Sequence, residues 1–185
     1  MKYYDLMDDI NYPNRWYLGD VLDVDNWSFL DPSPSIFEKD TYELEVYQNG
    51  EEMDLTLTEA FGLLVASEKV KKLFEAVPDA AVRFIPVTIT NKKVSTNYYL
   101  MITMLKIDAV DQKKSDFTRY EKNDPVRPDF AGKYSGFYKL VIDESKAAGH
   151  SIFRIEGYDV TIIASEVVKQ KFEDAGIAAD FTPVN

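Results

Sequence analysis

Residues 64–75 read LVASEKVKKLFE, and these twelve residues contain the end of a strand, a helix start and a helix face. Three apolar residues precede Ser67, a residue type that is preferred at helix N-caps because its oxygen accepts from a free first-turn amide. Glu68 follows, where a negative charge favours the positive end of a helix. Val70 and Phe74 then recur at helical spacing. The stretch therefore predicts a strand that leads directly into a helix.

A second stretch repeats this one near the end of the chain. Residues 162–173 read IIASEVVKQKFE and are identical to the first stretch at 7 of 12 positions. Both copies then reach an F-x-P-V sequence, at residues 84–87 and 181–184. Gly176 is placed to cap the second helix at its C-terminus. We therefore predict two similar units of strand, Ser-capped helix and strand, packed on one sheet.

The flanking segments add further strands. Residues 98–107 (YYLMITMLKI) are almost continuously apolar, which is typical of a strand buried on both faces. Residues 41–47 (TYELEVY) alternate, which indicates a half-exposed strand. A turn dipeptide follows at Asn49–Gly50, and a short alternation at Leu55 and Leu57 predicts the second strand of a hairpin.

Proline constrains one of the remaining strands. Residues 83–90 (RFIPVTIT) alternate, but Pro86 removes a hydrogen-bond donor, so we expect this strand at a sheet edge or with a bulge. Three more strands are predicted at residues 137–142, 152–155 and 160–163. The predicted fold class is α+β, with a mixed or mostly antiparallel sheet.

A chain of 185 residues suits a single domain, here residues 1–185. Within it we expect a long irregular and acidic N-terminal segment at residues 1–40, and a first half at 41–110. A polar loop excursion follows at 111–136, and the second half spans 137–185. Long excursions of this kind are often functional.

The negative charge is concentrated in the first third of the chain. The net charge is −11, and residues 1–60 contain 15 acidic and 3 basic side chains, whereas residues 61–185 contain 17 and 18. Such a field repels nucleic acids and anionic lipids and attracts a basic protein. The candidate partner-binding residues are the densest acidic cluster and its tryptophan: Asp20, Asp23, Asp25, Trp27 and Asp31. The excursion at 111–136 is a second candidate surface.

Catalytic and metal-binding patterns are absent from the sequence. The chain has no cysteine and one histidine, His150, which we place in a turn or at a strand edge. No phosphate-binding loop and no nucleophile elbow are present. A loop starting at Asp23 does not match the EF-hand calcium pattern, which has an oxygen ligand at position 5 and glycine at position 6. Trp27 and Ser28 occupy these two positions. We therefore expect no catalytic residues, no metal and no cofactor.

Localisation is predicted from the start of the chain and from its hydropathy. Asp5, Asp8 and Asp9 lie where a signal peptide would carry its cationic and apolar regions. No stretch approaches the ~20 apolar residues of a membrane span. We therefore expect a cytoplasmic protein.

Several blocks occur in an order that resembles a known family. They are RWYLG at 15–19, LVASEK at 64–69, VRFIPV at 82–87, YYL at 98–100, IDAVD at 107–111, LVID at 140–143, IFRI at 152–155, IASE at 163–166 and F-x-P-V at 181–184. The chain resembles the family numbered eleven among the immunity proteins encoded beside bacterial polymorphic toxins. The resemblance implies a non-enzymatic inhibitor that binds a cognate toxin, expected from an adjacent gene, and occludes its active site.

Two other functions stay open on the sequence. The 25 aromatic residues allow a small-molecule or carbohydrate-binding module of α+β fold. The 32 acidic residues allow a carboxylate-dependent hydrolase, since paired catalytic carboxylates are defined by spatial rather than sequential spacing.

Overall fold

Two β-sheets and two helices form the frame of the chain. The computed structural model describes residues 1–32, 34–60, 62–147 and 149–184. The strands are β1 Tyr3–Met7, β2 Tyr17–Val21, β3 Tyr42–Gln48, β4 Leu55–Leu57, β5 Leu64–Ser67, β6 Val82–Ile89, β7 Tyr98–Thr103, β8 Lys106–Ile107, β9 Asp116–Arg119, β10 Tyr134–Lys139, β11 Ile152–Ile155, β12 Tyr158–Ser165 and β13 Asp180–Pro183. The helices are α1 Glu68–Glu75 and α2 Glu166–Asp174, and short 3-10 helices span Asn26–Phe29, Pro34–Phe37 and Pro128–Phe130.

The strands form one six-stranded sheet, one five-stranded sheet and a separate ribbon. The six-stranded sheet has the order β2-β3-β6-β7-β5-β4, and the five-stranded sheet has the order β13-β1-β12-β11-β8. Strands β9 and β10 pair with each other and form the ribbon. Most pairs are antiparallel, while β3–β6 and β8–β11 are parallel. The fold class is α+β, with mixed sheets.

The two repeated stretches occupy equivalent places in the two sheets. In the first unit β7 lies between β5 and β6, and in the second unit β1 lies between β12 and β13. The register agrees as well, because Tyr98 lies opposite Ser67 and Tyr3 lies opposite Ser165. The expectation that both units pack on one sheet is wrong, since each unit belongs to its own sheet. The sequence repeat shows that the units are alike, but strand neighbours are decided by long-range pairing.

The units face each other through equivalent aromatic side chains. The rings of Phe74 in α1 and Phe172 in α2 meet with centroids 6.1 Å apart. Each ring also contacts the phenylalanine of its own F-x-P-V sequence, Phe84 at 6.0 Å and Phe181 at 5.4 Å. A buried apolar cluster from both helices and both sheets surrounds these contacts. Burial of this shared core, at roughly 25 cal/mol per Å² of apolar surface, holds the two sheets together.

The two serine caps differ in their hydrogen bonds. The Ser67 hydroxyl donates to Asp54 at 2.6 Å and accepts from the backbone N–H of Lys69 at 3.2 Å, as predicted. The expected cap at Ser165 is wrong, because its side chain makes no capping hydrogen bond. The position that matches Asp54 is Ser151, whose hydroxyl donates to Pro78 instead. Among the described residues, therefore, no carboxylate orients the Ser165 hydroxyl.

Two long insertions cover the outer faces of the sheets. Residues 8–54 follow β1 and bury Trp16 and Phe29 against the six-stranded sheet. Residues 104–151 follow β7 and cover the five-stranded sheet, with Tyr134 among the buried residues. The prediction of an irregular segment at 1–40 is wrong for β1 and β2, and the excursion at 111–136 contains β9. These strands are only four or five residues long, and they pair with segments outside their own neighbourhood, so local pattern does not reveal them.

The predicted hairpin around Asn49–Gly50 is also wrong. Strand β3 pairs with β2 and β6, whereas β4 pairs with β5. Gly50 is needed for another reason: a Cβ atom there would lie 2.3 Å from the backbone oxygen of Asn14. The glycine therefore allows the close approach of two chain segments, and the turn signal is misleading.

Pro86 lies inside the six-stranded sheet rather than at its edge. The parallel pairing of β6 with β3 begins only at Val87. The carbonyl of Pro86 accepts from the Thr41 hydroxyl at 3.2 Å on that side. The missing N–H therefore falls just before the ladder starts, where the strand tolerates a proline.

Candidate functional site

The two insertions meet at an aromatic cavity. This cavity has a volume of about 460 Å³. The first insertion contributes Trp27, Leu30 and Asp31, and the turn into β12 contributes the floor. The remaining wall comes from the second insertion: Tyr120, Arg127, Phe130, Lys133, Tyr134 and Ser135. We call it the aromatic cavity below.

Trp27 is presented by a short and well-anchored 3-10 helix. The Asp25 carboxylate accepts from the Trp27 backbone N–H at 3.1 Å and so caps the first turn. The buried Asn26 side chain exchanges two hydrogen bonds with the backbone of Val21, at 2.9 and 2.8 Å. Phe29 is fully buried in the core. The backbone is thus fixed from both sides, while the Trp27 side chain stays 60% exposed.

An ion-pair network ties the cavity's floor to its rim. The Lys106 ammonium lies 2.8 Å from a carboxylate oxygen of Asp31 and 2.8 Å from one of Asp159. Burial acts to lower the pKa of Lys106, but the two carboxylates outweigh it and raise that pKa above its usual value. The hydrogen bond and the charge of Lys106 lower the pKa of Asp31. Both groups therefore stay ionised at neutral pH, and Asp31 reaches the rim.

The opposite wall is a stack of rings and cations. The rings of Tyr120 and Phe130 meet edge to face with centroids 5.5 Å apart. The guanidinium carbon of Arg127 lies 3.6 Å and the Lys133 ammonium 4.5 Å from the centre of the Phe130 ring. Arg127 also forms an ion pair with Asp129 at 3.2 Å. These contacts hold one end of the cavity together within the second insertion.

A second, more open hollow lies on the other side of Trp27. It has a volume of about 420 Å³ and is lined by Asp20, Asp25 and Glu59 beside Trp27. No ion pair joins any of these three carboxylates to a cation among the described residues. Three uncompensated acids thus surround one face of the exposed indole. We call this the acidic hollow below.

The structure brings four of the five predicted residues together. Asp20 and Asp25 line the acidic hollow, Asp31 lines the aromatic cavity, and Trp27 is the wall between them. Asp23 is exposed with a positive φ of 56° and lines neither hollow. The sequence did not single out Glu59 or Phe130, and only the general position of the 111–136 excursion indicated the second wall.

Other chemistry receives no support from side-chain clusters. Across the parts of the chain that the structure describes, no group of three Asp, Glu, His or Cys residues is arranged to hold a metal ion. His150 is half-buried in the turn before β11. No helix within the described residues is long and apolar enough to cross a membrane.

Comparison with known families agrees with the ordered blocks of the sequence. The family model described as Immunity protein family (Imm11) matches residues 28–184. The matched region includes Asp31, the second insertion and both repeated stretches, while β1, Asp20, Asp23, Asp25 and Trp27 precede it. No curated protein matches the chain. Because the match covers nearly all of its 185 residues, the chain belongs to the Immunity protein family (Imm11).

Proposed function

We propose that this protein binds the toxin domain encoded beside its own gene and neutralises it by covering the toxin's active site. The observation that carries the proposal is Trp27, a rigidly held and exposed indole between an acidic hollow and an aromatic cavity. Tryptophan is enriched among the residues that dominate binding energy at protein interfaces. The proposed role needs no catalytic group, only a complementary surface of about 800 Å² per partner.

The charge of the surface indicates the charge of the partner. Asp20, Asp25 and Glu59 lie on one side of Trp27, and none of them forms an ion pair with a described residue. A basic toxin surface would relieve their mutual repulsion and would be attracted at long range. We therefore expect an association rate that falls as ionic strength rises, since exposed charges are screened over about 8 Å in physiological salt.

Growth rescue tests the proposal directly. The toxin domain is co-expressed with the wild-type protein, with Trp27→Ala, and with Tyr47→Ala as a matched control. Tyr47 is 78% exposed, but it lies on the opposite face of β3 from the core that the first insertion covers. We expect rescue and a co-purifying complex with wild type and Tyr47→Ala, and at least about 30-fold weaker binding with Trp27→Ala.

A second pair of variants tests the charge. Asp20→Asn with Asp25→Asn removes two charges beside Trp27 and keeps the cap, because asparagine also caps helices. Glu43→Gln with Glu45→Gln removes two charges from exposed positions of β3. We expect only the first pair to slow association and reduce its salt dependence. Equal effects of both pairs of variants would place the interface elsewhere. If the wild-type protein does not bind the toxin, the proposed function is refuted.

A further inference from the structure

We propose that the aromatic cavity receives a tyrosine or tryptophan side chain of the bound toxin. This inference rests on the proposed function and adds the chemistry of one contact. It concerns the cavity between the two insertions and not the acidic hollow.

The lining of the cavity suits a ring. Trp27, Tyr120, Phe130, Tyr134 and Tyr158 all contribute to its surface. Aromatic rings attract one another in offset or edge-to-face contacts with centroids about 4.5–7 Å apart. At about 460 Å³ the cavity has room for one large side chain.

The charges that line the cavity are balanced. Lys106 neutralises Asp31 and Asp159 in part, and the nearby charge of Lys133 further lowers the pKa of Asp31. Arg127 has its own carboxylate partner outside the cavity, Asp129. An ionic side chain would therefore enter without a net opposite charge to offset its desolvation, whereas an uncharged ring has no such cost.

Two hydroxyl groups distinguish a polar ring from a purely apolar one. Tyr120 and Tyr158 both line the cavity, and for neither hydroxyl does the described part of the chain supply a hydrogen-bond partner. Burial, and then the charge of Asp5, raise the pKa of Tyr158, so its hydroxyl stays protonated. A tyrosine O–H or a tryptophan N–H could therefore bond to these oxygens, which phenylalanine cannot do.

The position of the cavity links its occupant to the toxin. Trp27 forms part of both hollows. A partner that places a basic residue in the acidic hollow and covers the indole therefore lies directly over the mouth of the aromatic cavity. The cavity is continuous with the proposed interface, and this favours a side chain of the same partner as its occupant.

The test fills the cavity without touching the acidic hollow. Ser135 is exposed on β10 and lines the cavity, so Ser135→Tyr reduces the space available. Ser145→Tyr is the matched control, because Ser145 is exposed and lines a different hollow. Against the catalytically inactivated toxin domain, we expect Ser135→Tyr to raise Kd at least 30-fold and Ser145→Tyr by less than 3-fold. Circular dichroism and thermal melting check that both variants fold.

A toxin-side scan keeps the test independent of how the new tyrosine packs. Each exposed tyrosine and tryptophan of the toxin is changed to alanine, and binding is measured with wild type and with Ser135→Tyr. One such alanine variant should weaken wild-type binding about 30-fold and have little further effect on Ser135→Tyr, since interacting positions are not additive.

Three outcomes overturn the inference. Unchanged binding by Ser135→Tyr, together with weakened binding by Asp20→Asn and Asp25→Asn, would refute it while the proposed function stands. If the effect of every toxin alanine variant adds to that of Ser135→Tyr, the inference is also refuted while the proposed function stands. Specific thermal stabilisation of the free protein by a monosaccharide or nucleoside panel, abolished by Ser135→Tyr, would assign the cavity to a small molecule. Absence of any wild-type complex would instead refute the proposed function itself.

Discussion

A buried ion pair at the start of the first insertion gives the sharpest test of how this fold is held. Asp8 is 1% and Arg15 7% exposed, and a guanidinium nitrogen of Arg15 contacts a carboxylate oxygen of Asp8. The same oxygen accepts from the backbone N–H of Leu57 at 2.9 Å, so one side chain joins β1 to both the insertion and β4. Arg15 also donates to the backbone oxygen of Asp9 at 3.0 Å.

Asp8→Asn changes the charge and almost nothing else. An asparagine oxygen in the place of the shared carboxylate oxygen can still accept from Leu57 and from Arg15, but the buried guanidinium loses its counter-charge. Breaking a buried pair in this way costs about 3–5 kcal/mol. For a chain of this length that is a fall in Tm of roughly 6–20 °C.

Urea unfolding at pH 7 measures this cost, with Asp9→Asn as the control one residue away. Asp9 is only half-buried, and its carboxylate accepts from Asn11 at 2.9 Å, while its backbone bond to Arg15 survives the change. We expect a loss below about 1 kcal/mol for Asp9→Asn. Adding Arg15→Met to Asp8→Asn should recover part of the lost stability, because no unpaired charge remains. An Asp8→Asn variant as stable as Asp9→Asn would refute the reasoning.

Three further predictions concern other parts of the frame. Gly50→Ala forces a Cβ atom to within 2.3 Å of the Asn14 backbone oxygen, and calorimetry should show a fall in Tm of several degrees, as expected for a cost of about 1–3 kcal/mol. Thr56→Val removes the acceptor 2.8 Å from the buried Trp16 indole N–H, and urea unfolding should show a loss of about 1–3 kcal/mol. Asp5 has its pKa raised to about 6 by burial and by a second carboxylate on β13, so the fold favours its protonated form and loses stability as pH rises from about 4 through 6. Asp5→Asn should therefore be close to wild type near pH 4 and exceed it by about 3 kcal/mol at pH 7, in urea unfolding at both pH values.

The strongly periodic parts of the fold were predictable from the sequence. The stretch before α1 predicted a strand, a serine cap and a helix, and the structure contains β5, Ser67 and α1 in that order. Gly176 has a φ of +62° directly after α2, where its N–H and that of Ile177 close the last turn. These features depend on neighbours within one turn of the chain, so local pattern specifies them.

Pairing between distant segments was not predictable in the same way. Strand β1 carries Asp5 at the register position that Leu100 occupies in β7. Asp5 interrupts the otherwise apolar sequence of β1, and this strand completes the second unit from the other end of the chain. The pair Asp8–Arg15 and the close approach at Gly50 likewise join segments whose sequences carry no signal for each other.

The candidate site shows the same difference between local sequence signals and contacts between distant segments. The acidic cluster and Trp27 were recognisable because they are adjacent in sequence and unusual in composition. Glu59 and Phe130 were not, because each reaches the site through a different part of the fold. Asp23 was predicted with its neighbours, but its left-handed turn conformation places it on neither hollow.

The location of the site can be argued from the symmetry of the frame. The two units match strand by strand, and each insertion leaves from an equivalent place, after β1 in one unit and after β7 in the other. The repeated parts pack against each other and form one shared core, in which Phe74 contacts Phe172. The insertions are free to differ: residues 8–54 contain 13 acidic and 2 basic side chains, whereas residues 104–151 contain 8 acidic and 9 basic ones. They meet at the aromatic cavity. A surface that recognises one partner needs such differences, and so we expect specificity to lie at Trp27 and Phe130 rather than on the paired helices.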